Sequence, residues 1–235
     1  MIKIAGKAVP TTLVELVDPQ RTALVVVDIQ NDYCSSGGIY AAAGKDMSMY
    51  PAMIERTSTL IDAARKSGAL VIYIQNTNLS DYRSDSVAYL RFKLVIRGVK
   101  PEDLPKSEHA IEGTWGQQIV SGLAPRPDDL IVKKHRSSAF VNTRLDSLLR
   151  GNNIQTTIIT GCVTEGCVES TARDAGCYDY IVLLAEDCIA SGNHRLHAAS
   201  MDVMRTRFDV TTSGEIIQAW RSVSPEANGK IGTAP

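Results

Sequence analysis

Short apolar runs alternate with amphipathic stretches along most of this chain. Six runs are rich in valine, isoleucine and leucine, and they begin at Ala23, Ala69, Asp129, Thr156, Tyr180 and Arg207. Most are apolar on both alternate faces, as strands covered on both sides of a sheet must be. The stretch from Met53 has apolar residues at helical spacing and stops at Gly68, a typical helix terminator. The alternation predicts an α/β, three-layer, Rossmann-like fold: a six-stranded, mainly parallel sheet with helices on both faces.

The alternation defines one domain at residues 21–224, and three parts of the chain depart from it. Two of them are the ends, which we predict to be an N-terminal arm at residues 1–20 and a flexible tail at residues 225–235. The connection over residues 76–128 is long, and we predict that it is mostly loop with one short helix at residues 116–123. Long loops in compact domains usually cover functional sites, so this connection is expected to cover one.

Composition excludes several classes of partner. The 235 residues are 44% hydrophobic, and 25 basic against 26 acidic residues give a net charge of -1. This balance predicts neither a nucleic acid nor an anionic membrane as partner. The apolar runs are too short to span a bilayer, and the first twenty residues lack the apolar segment of a signal peptide. We therefore expect a cytoplasmic protein whose five cysteines stay reduced rather than forming a disulfide framework.

Polar residues with chemical potential follow three of the predicted strands. Asp28 follows the first strand, Lys133 and Lys134 end the third, and Cys162 and Cys167 follow the fourth. The carboxyl ends of parallel strands share one edge of a sheet, which is where such folds bind ligands. An acid, a cation and a thiol would therefore meet there, and this combination can perform covalent acyl transfer.

Cys167 is the better candidate nucleophile because it begins a predicted helix after a glycine-flanked turn. A thiol pKa of roughly 8.5 falls near a cation or a helix N-terminus, and the turn should expose N–H groups to an oxyanion. Cys162 ends a strand and is expected to pack. Taken singly, Asp28 could cap a turn, Lys134 could be solvated and either cysteine could be inert core. The cysteines lack zinc-type paired spacing, and no glycine-rich phosphate motif supports a nucleotide cofactor.

Three stretches resemble the isochorismatase-like cysteine hydrolases: ALVVVDIQNDYCSSGG, KHRSSAFVNTRLDSLLR and TGCVTEGCVESTARDAG. Their order and spacing agree over residues 21–223. The resemblance implies a hydrolase domain with a catalytic triad of Asp28, Lys134 and Cys167, and it selects Lys134 over Lys133. It also implies a cis peptide between Cys162 and Val163, with the N–H groups of Val163 and Cys167 as oxyanion donors.

The resemblance is nearest to the ureidoacrylate, N-carbamoyl and biuret amidohydrolase branch. It implies a cysteine amidohydrolase that cleaves a C–N bond of a small linear ureido, carbamoyl or biuret-type amide through a thioester, releasing ammonia or carbamate. The alternatives are vinyl-ether hydrolysis of the isochorismatase type, and hydrolysis of a simple carboxamide such as maleamate. The implied substrate contacts are Tyr33, Gln75, Asn76, Trp115 and Phe140. Arg83 and Arg136 are candidates to meet a substrate carboxylate, or else ordinary surface arginines.

Two further expectations follow from the resemblance. Related nicotinamidases carry a metal on an Asp-x-His segment after the second strand, whereas this chain has the neutral Asn76 and Asn78 there. We therefore expect no metal and no other cofactor. We also expect a homodimer or homotetramer, because the family is usually oligomeric.

Overall fold

The computed structural model describes residues 1–223, and the predicted tail at 225–235 lies outside the described residues. The predicted N-terminal arm is a β-hairpin of β1 (Ile2–Ile4) and β2 (Lys7–Val9), followed by the short helix α1 (Leu13–Leu16). A 3-10 helix at Pro19–Arg21 then leads into the main sheet.

The central sheet contains the six predicted strands, and its pairings are all parallel. They are β3 (Thr22–Val27), β4 (Leu70–Asn76), β5 (Leu130–Lys134), β6 (Thr156–Cys162), β7 (Ile181–Ala190) and β8 (Asp209–Thr211). Their order across the sheet is β5-β4-β3-β6-β7-β8. The chain leaves β3 in one direction towards β4 and β5, and later in the other towards β6, β7 and β8. This arrangement confirms the predicted fold class and places a topological switch point between β3 and β6.

Helices cover both faces of the sheet. Those of seven or more residues are α4 (Tyr50–Ser67), α6 (Leu145–Gly151), α7 (Glu169–Cys177), α8 (His194–Arg205) and α9 (Ser213–Val223). Alternate residues of β3 divide between two hydrophobic clusters: Leu24 and Val26 face α4 and α9, whereas Val25 and Val27 face α6, α7 and α8. Helix α4 ends at Gly68 in the left-handed conformation, as its sequence predicts. No helix within residues 1–223 is long and apolar enough to cross a membrane.

Two short helices follow β3 near the carboxyl edge of the sheet. They are α2 (Asn31–Cys34) and α3 (Ile39–Ala42), and both precede the long helix α4. Gly38 lies between them, and a Cβ atom there would lie 2.2 Å from the carbonyl oxygen of Asn31. The close approach of these two backbone segments therefore depends on glycine.

The connection between β4 and β5 differs from its prediction in two places. The predicted helix at 116–123 is wrong, because only a 3-10 turn at Ser121–Leu123 forms there. Carbonyl groups that would build its first turns instead accept hydrogen bonds from residues 30–32, as Gln117 O does from Gln30 Nε2 at 2.6 Å. The second difference is a helical segment within the predicted loop, α5 (Val87–Arg91), which continues as a π-helix at Phe92–Ile96.

Candidate active site

Asp28 lies at the carboxyl end of β3 and is almost completely buried. Its backbone adopts a positive φ of 53°, which turns the chain out of the sheet into α2. The neighbouring strand β4 fixes the carboxyl group, since Asn76 N donates to Oδ1 at 3.1 Å. The other oxygen, Oδ2, is also buried and lies against the ammonium of Lys134.

Lys134 ends β5 and is also almost completely buried. Its Nζ lies 2.7 Å from Asp28 Oδ2, 3.3 Å from Cys167 Sγ and 2.9 Å from the carbonyl oxygen of Arg136. An ammonium has three N–H groups, and these three acceptors match them in number. Lys133 points elsewhere: it is exposed and pairs with Glu112 at 2.6 Å. The structure thus brings Lys134, and not Lys133, to Asp28 and Cys167.

Cys167 lies in a π-helical turn at Thr164–Val168, between β6 and α7. The peptide bond from Cys162 to Val163 that enters this turn is cis. Within the turn, the carbonyl of Val163 accepts from Gly166 N at 3.0 Å and from Val168 N at 3.3 Å. This turn follows β6, the strand next to β3, so all three predicted triad side chains meet at the carboxyl edge.

Burial and charge act in opposite directions on these three groups. Burial raises the pKa of Asp28, and the adjacent Lys134 ammonium opposes that rise only in part. For Lys134, burial lowers the pKa, but the charges of Asp28 and Cys167 outweigh it and the pKa is raised. Burial raises the pKa of Cys167 to about 12, with Lys134 lowering it and Asp28 raising it. The raised pKa of Lys134 keeps its ammonium charged, and the raised pKa of Cys167 keeps the sulfur a neutral thiol.

Cys162 is buried on the opposite side of the turn and faces the core. Its thiol donates to the carbonyl oxygen of Asp28 at 3.2 Å and lies 3.5 Å from Cys34 Sγ. Its pKa is raised well above the usual value, first by its hydrogen bond with Cys34 and then by burial. Cys162 therefore packs beneath Asp28, as its position at a strand end predicts.

Two of the five predicted substrate contacts, Tyr33 and Asn76, lie near the carboxylate of Asp28, and Gln75 is the strand neighbour of Asn76. Asn76 Nδ2 donates a short hydrogen bond to the hydroxyl of Tyr33. Burial raises the pKa of Tyr33 strongly, and the charges of Asp28 and Cys167 add to this rise, which indicates their proximity. Gln75 directly precedes Asn76 on β4, and its Nε2 donates to the carbonyl of Gln117 at 3.0 Å. These amide and phenol groups could orient a small polar substrate.

The other two predicted contacts lie apart from the three side chains. Phe140 belongs to the hydrophobic cluster beneath α6 and α7, and its ring stacks on Tyr178 at 5.1 Å between centroids. Tyr178 comes just before β7, at the amino edge of the sheet, so Phe140 packs there rather than in the cleft. Trp115 is half exposed and lies against Gly37, while its carbonyl accepts from Asn31. We keep Trp115 as a candidate rim residue and correct the prediction for Phe140.

Several residues near the site were missed by sequence reasoning. Gln30 is buried, and its Oε1 accepts from Asn76 N at 2.7 Å. It therefore fixes the end of β4, whose Asn76 N also donates to Asp28. Its position two residues after Asp28 was the available signal. Tyr40 and Tyr89 belong to short helices, and the Cys167 charge reaches both, although burial is the main cause of their raised pKa values. No pattern in the sequence connects these two tyrosines with the strand ends.

The histidines lie outside this constellation. His197 Nδ1 is 2.8 Å from the hydroxyl of Thr164, in the turn that carries Cys167, and His194 pairs with Asp46 at the surface. His109 and His135 each contact a backbone carbonyl through Nδ1, at 2.9 and 2.5 Å. Within residues 1–223, no group of three or more histidine, cysteine or acidic side chains is arranged to hold a metal ion. The expectation that no metal takes part stays a prediction.

Comparison with known proteins gives a consistent result. The sequence profile of the isochorismatase domain matches residues 22–216. A ureidoacrylate amidohydrolase from Pantoea ananatis is 39% identical over 176 residues, covering 72% of this chain and 69% of the relative. A second, from Cronobacter turicensis, is 36% identical over 181 residues, covering 72% and 74%.

Solved structures give the same fold. A cysteine hydrolase from Pseudomonas syringae pv. phaseolicola superposes with a TM-score of 0.75 at 26% identity. The match covers 89% of this chain and 96% of that chain. That cysteine hydrolase therefore shares the fold of this chain.

Proposed function

Because this chain belongs to the isochorismatase family of hydrolases, we propose that it is a cysteine amidohydrolase acting on small linear ureido or carbamoyl compounds. The observation that carries the proposal is the meeting of three side chains at one sheet edge. Lys134 Nζ lies 2.7 Å from Asp28 Oδ2 and 3.3 Å from Cys167 Sγ. The amidohydrolase names of relatives at 36 and 39% identity support C–N bonds as the target.

Attack begins from a neutral thiol. As Cys167 Sγ bonds to the substrate carbonyl carbon, its proton passes to the carboxylate of Asp28, which contacts the same Lys134 ammonium as the sulfur. Negative charge moves to the carbonyl oxygen, where the N–H groups of Val163 and Cys167 stabilise it. Each such donor contributes roughly 3–4 kcal/mol in well-studied enzymes.

Collapse of the tetrahedral intermediate breaks the C–N bond. Asp28 returns its proton to the departing nitrogen, so ammonia or a neutral amine leaves and a Cys167 thioester remains. A water molecule then gives a proton to Asp28 and attacks the thioester, which releases carbamate or carboxylate and restores the thiol. Lys134 favours the ionised form of Asp28 and stabilises charge on the sulfur.

Cysteine at position 167 separates this proposal from vinyl-ether hydrolysis. Vinyl-ether cleavage requires an acid to protonate the substrate, and it needs no sulfur nucleophile. Here the sulfur lies within contact of the ammonium, and the turn that carries it follows the same strand edge as Asp28. Amide hydrolysis uses all three groups, whereas the alternative uses Asp28 alone.

An ammonia-release screen tests the proposal. The substrates are ureidoacrylate, N-carbamoyl amino acids, biuret, triuret, maleamate and nicotinamide, each assayed with the wild type, Cys167→Ser and Cys177→Ser. We expect turnover of a ureido or carbamoyl compound, with kcat reduced more than about a thousandfold in Cys167→Ser because the nucleophile is lost. Acid quenching during turnover should leave an acyl adduct on Cys167 that mass spectrometry detects.

Cys177→Ser is the matched control, because Cys177 is exposed at the end of α7. This variant should leave turnover unchanged. Full activity in Cys167→Ser would contradict covalent catalysis. Retention of vinyl-ether cleavage by that variant, with no ammonia release by the wild type, would instead support the alternative.

A further inference from the structure

The turn that carries Cys167 has little support of its own. It is a π-helical turn at Thr164–Val168, and its N-cap residue is Val163, whose side chain cannot cap a helix. The sulfur of Cys167 nevertheless lies 3.3 Å from Lys134 Nζ, and the proposed reaction depends on that placement. A reacting atom that moves by about 1 Å can lose about a hundredfold in rate. Neighbouring elements must therefore hold the turn in place.

Helix α8 contacts the turn and the residue that follows it. Ser191, just after β7, donates through Oγ to Glu165 Oε1 at 3.1 Å. The same Oγ accepts from the backbone N of Asn193 at 3.1 Å, and the Asn193 side chain caps α8. Further along α8, Ser200 Oγ donates to Glu169 Oε2 at 2.5 Å. Glu169 is the first residue of α7, so the two ends of the turn are both tied to α8 or its cap.

Between these contacts, His197 binds the first residue of the turn. His197 Nδ1 lies 2.8 Å from Thr164 Oγ1, and His197 shares a helix face with Ser200, three residues later. Thr164 is completely buried, and its hydroxyl has no other hydrogen-bond partner within residues 1–223. A buried O–H group needs an acceptor, so the hydroxyl donates to Nδ1 and the neutral ring carries its hydrogen on Nε2. Burial lowers the pKa of His197, which favours this neutral form.

We propose that His197 is a positioning residue, whose Nδ1 accepts the hydroxyl of Thr164 and thereby fixes the turn that presents Cys167. No hydrogen bond joins His197 to the three triad side chains in the part of the chain that the structure describes, so it acts through the geometry of the turn. This inference rests on the proposed function and adds a residue of α8 to it.

Two substitutions at position 197 separate this role from simple packing. Leucine and asparagine are similar in size, and the asparagine amide oxygen is attached to Cγ, as Nδ1 is. His197→Leu should lower kcat for ammonia release roughly 5- to 100-fold, the effect of a buried hydroxyl without its acceptor. KM should stay within about twofold, because the substrate contacts are unchanged. His197→Asn should recover most of the lost kcat, since it restores an acceptor for Thr164.

Two further variants serve as controls. His194→Leu removes a histidine from the same helix, but His194 is exposed and pairs with Asp46 at the surface, so kcat should not change. Thr164→Val removes the same hydrogen bond from its other side. The losses in His197→Leu and Thr164→Val should therefore not add in the double variant.

Hydrogen–deuterium exchange tests the same inference without turnover. The amides of Gly166 and Val168 donate to the carbonyl of Val163, at 3.0 and 3.3 Å, so their exchange reports the opening of the turn. Mass spectrometry of the peptide that contains both amides measures this exchange. It should be roughly fivefold faster or more in His197→Leu, again because the buried hydroxyl has lost its acceptor. His197→Asn and His194→Leu should exchange at the wild-type rate.

The outcomes distinguish this inference from the proposed function. Equal losses of kcat in His197→Asn and His197→Leu, additive losses with Thr164→Val, or unchanged exchange in His197→Leu would overturn the role of His197. If the wild type releases no ammonia from any substrate of the screen, the proposed function fails, and exchange still decides whether His197 fixes the turn. If the wild type is active and His197→Leu keeps its full kcat, the inference is wrong and the proposed function stands.

Discussion

At the scale of single residues, the site is a set of coupled charges. The motif resemblance was enough to select Asp28, Lys134 and Cys167, and the structure brings them together. The protonation state of the thiol was not predictable in the same way. A neighbouring cation and a helix start suggested a lowered pKa for Cys167, yet burial raises it to about 12. Burial depends on how much protein surrounds the sulfur, which local sequence does not encode.

The coupling predicts that two neutralising variants change thiol reactivity in opposite directions. Asp28→Asn removes a negative charge that raises the pKa of Cys167, so alkylation of Cys167 by iodoacetamide at pH 8 should become faster although hydrolysis is lost. Lys134→Met removes the charge that lowers this pKa, so alkylation should become slower. Mass spectrometry of the Cys167 peptide measures both rates, with the exposed Cys177 as internal reference.

The alkylation rate of Cys167 should also increase with pH. Only the thiolate reacts, and its fraction rises about tenfold per pH unit below the pKa. With a pKa of about 12, the wild-type labelling rate of Cys167 should still be rising at pH 10, where an ordinary thiol has levelled off. A plateau near pH 8.5, or the same change in rate for both variants, would contradict the charge coupling.

At the scale of elements, the approach of β3 to β6 depends on one glycine. Gly161 has a φ of 111°, and a Cβ atom there would lie 2.0 Å from the carbonyl oxygen of Val27. Val27 directly precedes Asp28, so this contact sets the spacing between the strand that ends in the acid and the strand that leads to the thiol. Gly68, at the end of α4, also has a positive φ, of 84°, but no atom lies within 4 Å of its missing Cβ.

Alanine at these two positions should therefore have unequal effects. Gly68→Ala should cost about 1 kcal/mol of the free energy of unfolding, the usual cost of a left-handed non-glycine residue. Gly161→Ala should cost more than about 3 kcal/mol, because a backbone overlap adds to the strain. Urea unfolding followed by circular dichroism compares the two variants, and equal losses would show that the close approach to Val27 relaxes without cost.

Elements differed in how far their sequences specified them. The six strands were predictable because both faces are buried, so their apolar runs are nearly continuous. The helical segment 87–96 was missed, because its apolar residues do not face the core: Val87, Val95 and Ile96 are 84%, 60% and 65% exposed. A buried ion pair of Lys93 and Asp85 holds it instead, and such a pair leaves no periodic signal.

At the scale of the whole molecule, the exposed apolar side chains of segment 87–96 are candidates for a subunit interface. Val87, Val95 and Ile96 lie on one segment beside the cleft, and Ile2 and Ile4 of the N-terminal hairpin are also more than half exposed. Clustered apolar surface of this kind commonly marks an interface. We therefore propose that the chain forms the homodimer or homotetramer expected from its sequence, with segment 87–96 in the interface.

Light scattering after size-exclusion chromatography tests this assembly. The wild type should have the mass of two or four chains, and Ile96→Lys should shift it towards one, because a buried unpaired charge is costly in an interface. Val203→Lys, at an exposed apolar position on α8, should leave the mass unchanged. A wild type with the mass of one chain would contradict the proposal.

The long crossover from β4 to β5 has a consequence for how such enzymes diverge. The reacting groups come from the sheet edge, whereas the candidate rim residue Trp115 comes from residues 77–129, a stretch that the sheet only anchors. Substitutions in this connection can therefore accumulate during evolution without changing Asp28, Lys134 or Cys167. Transplanting it between relatives should then transfer substrate preference as a single cassette.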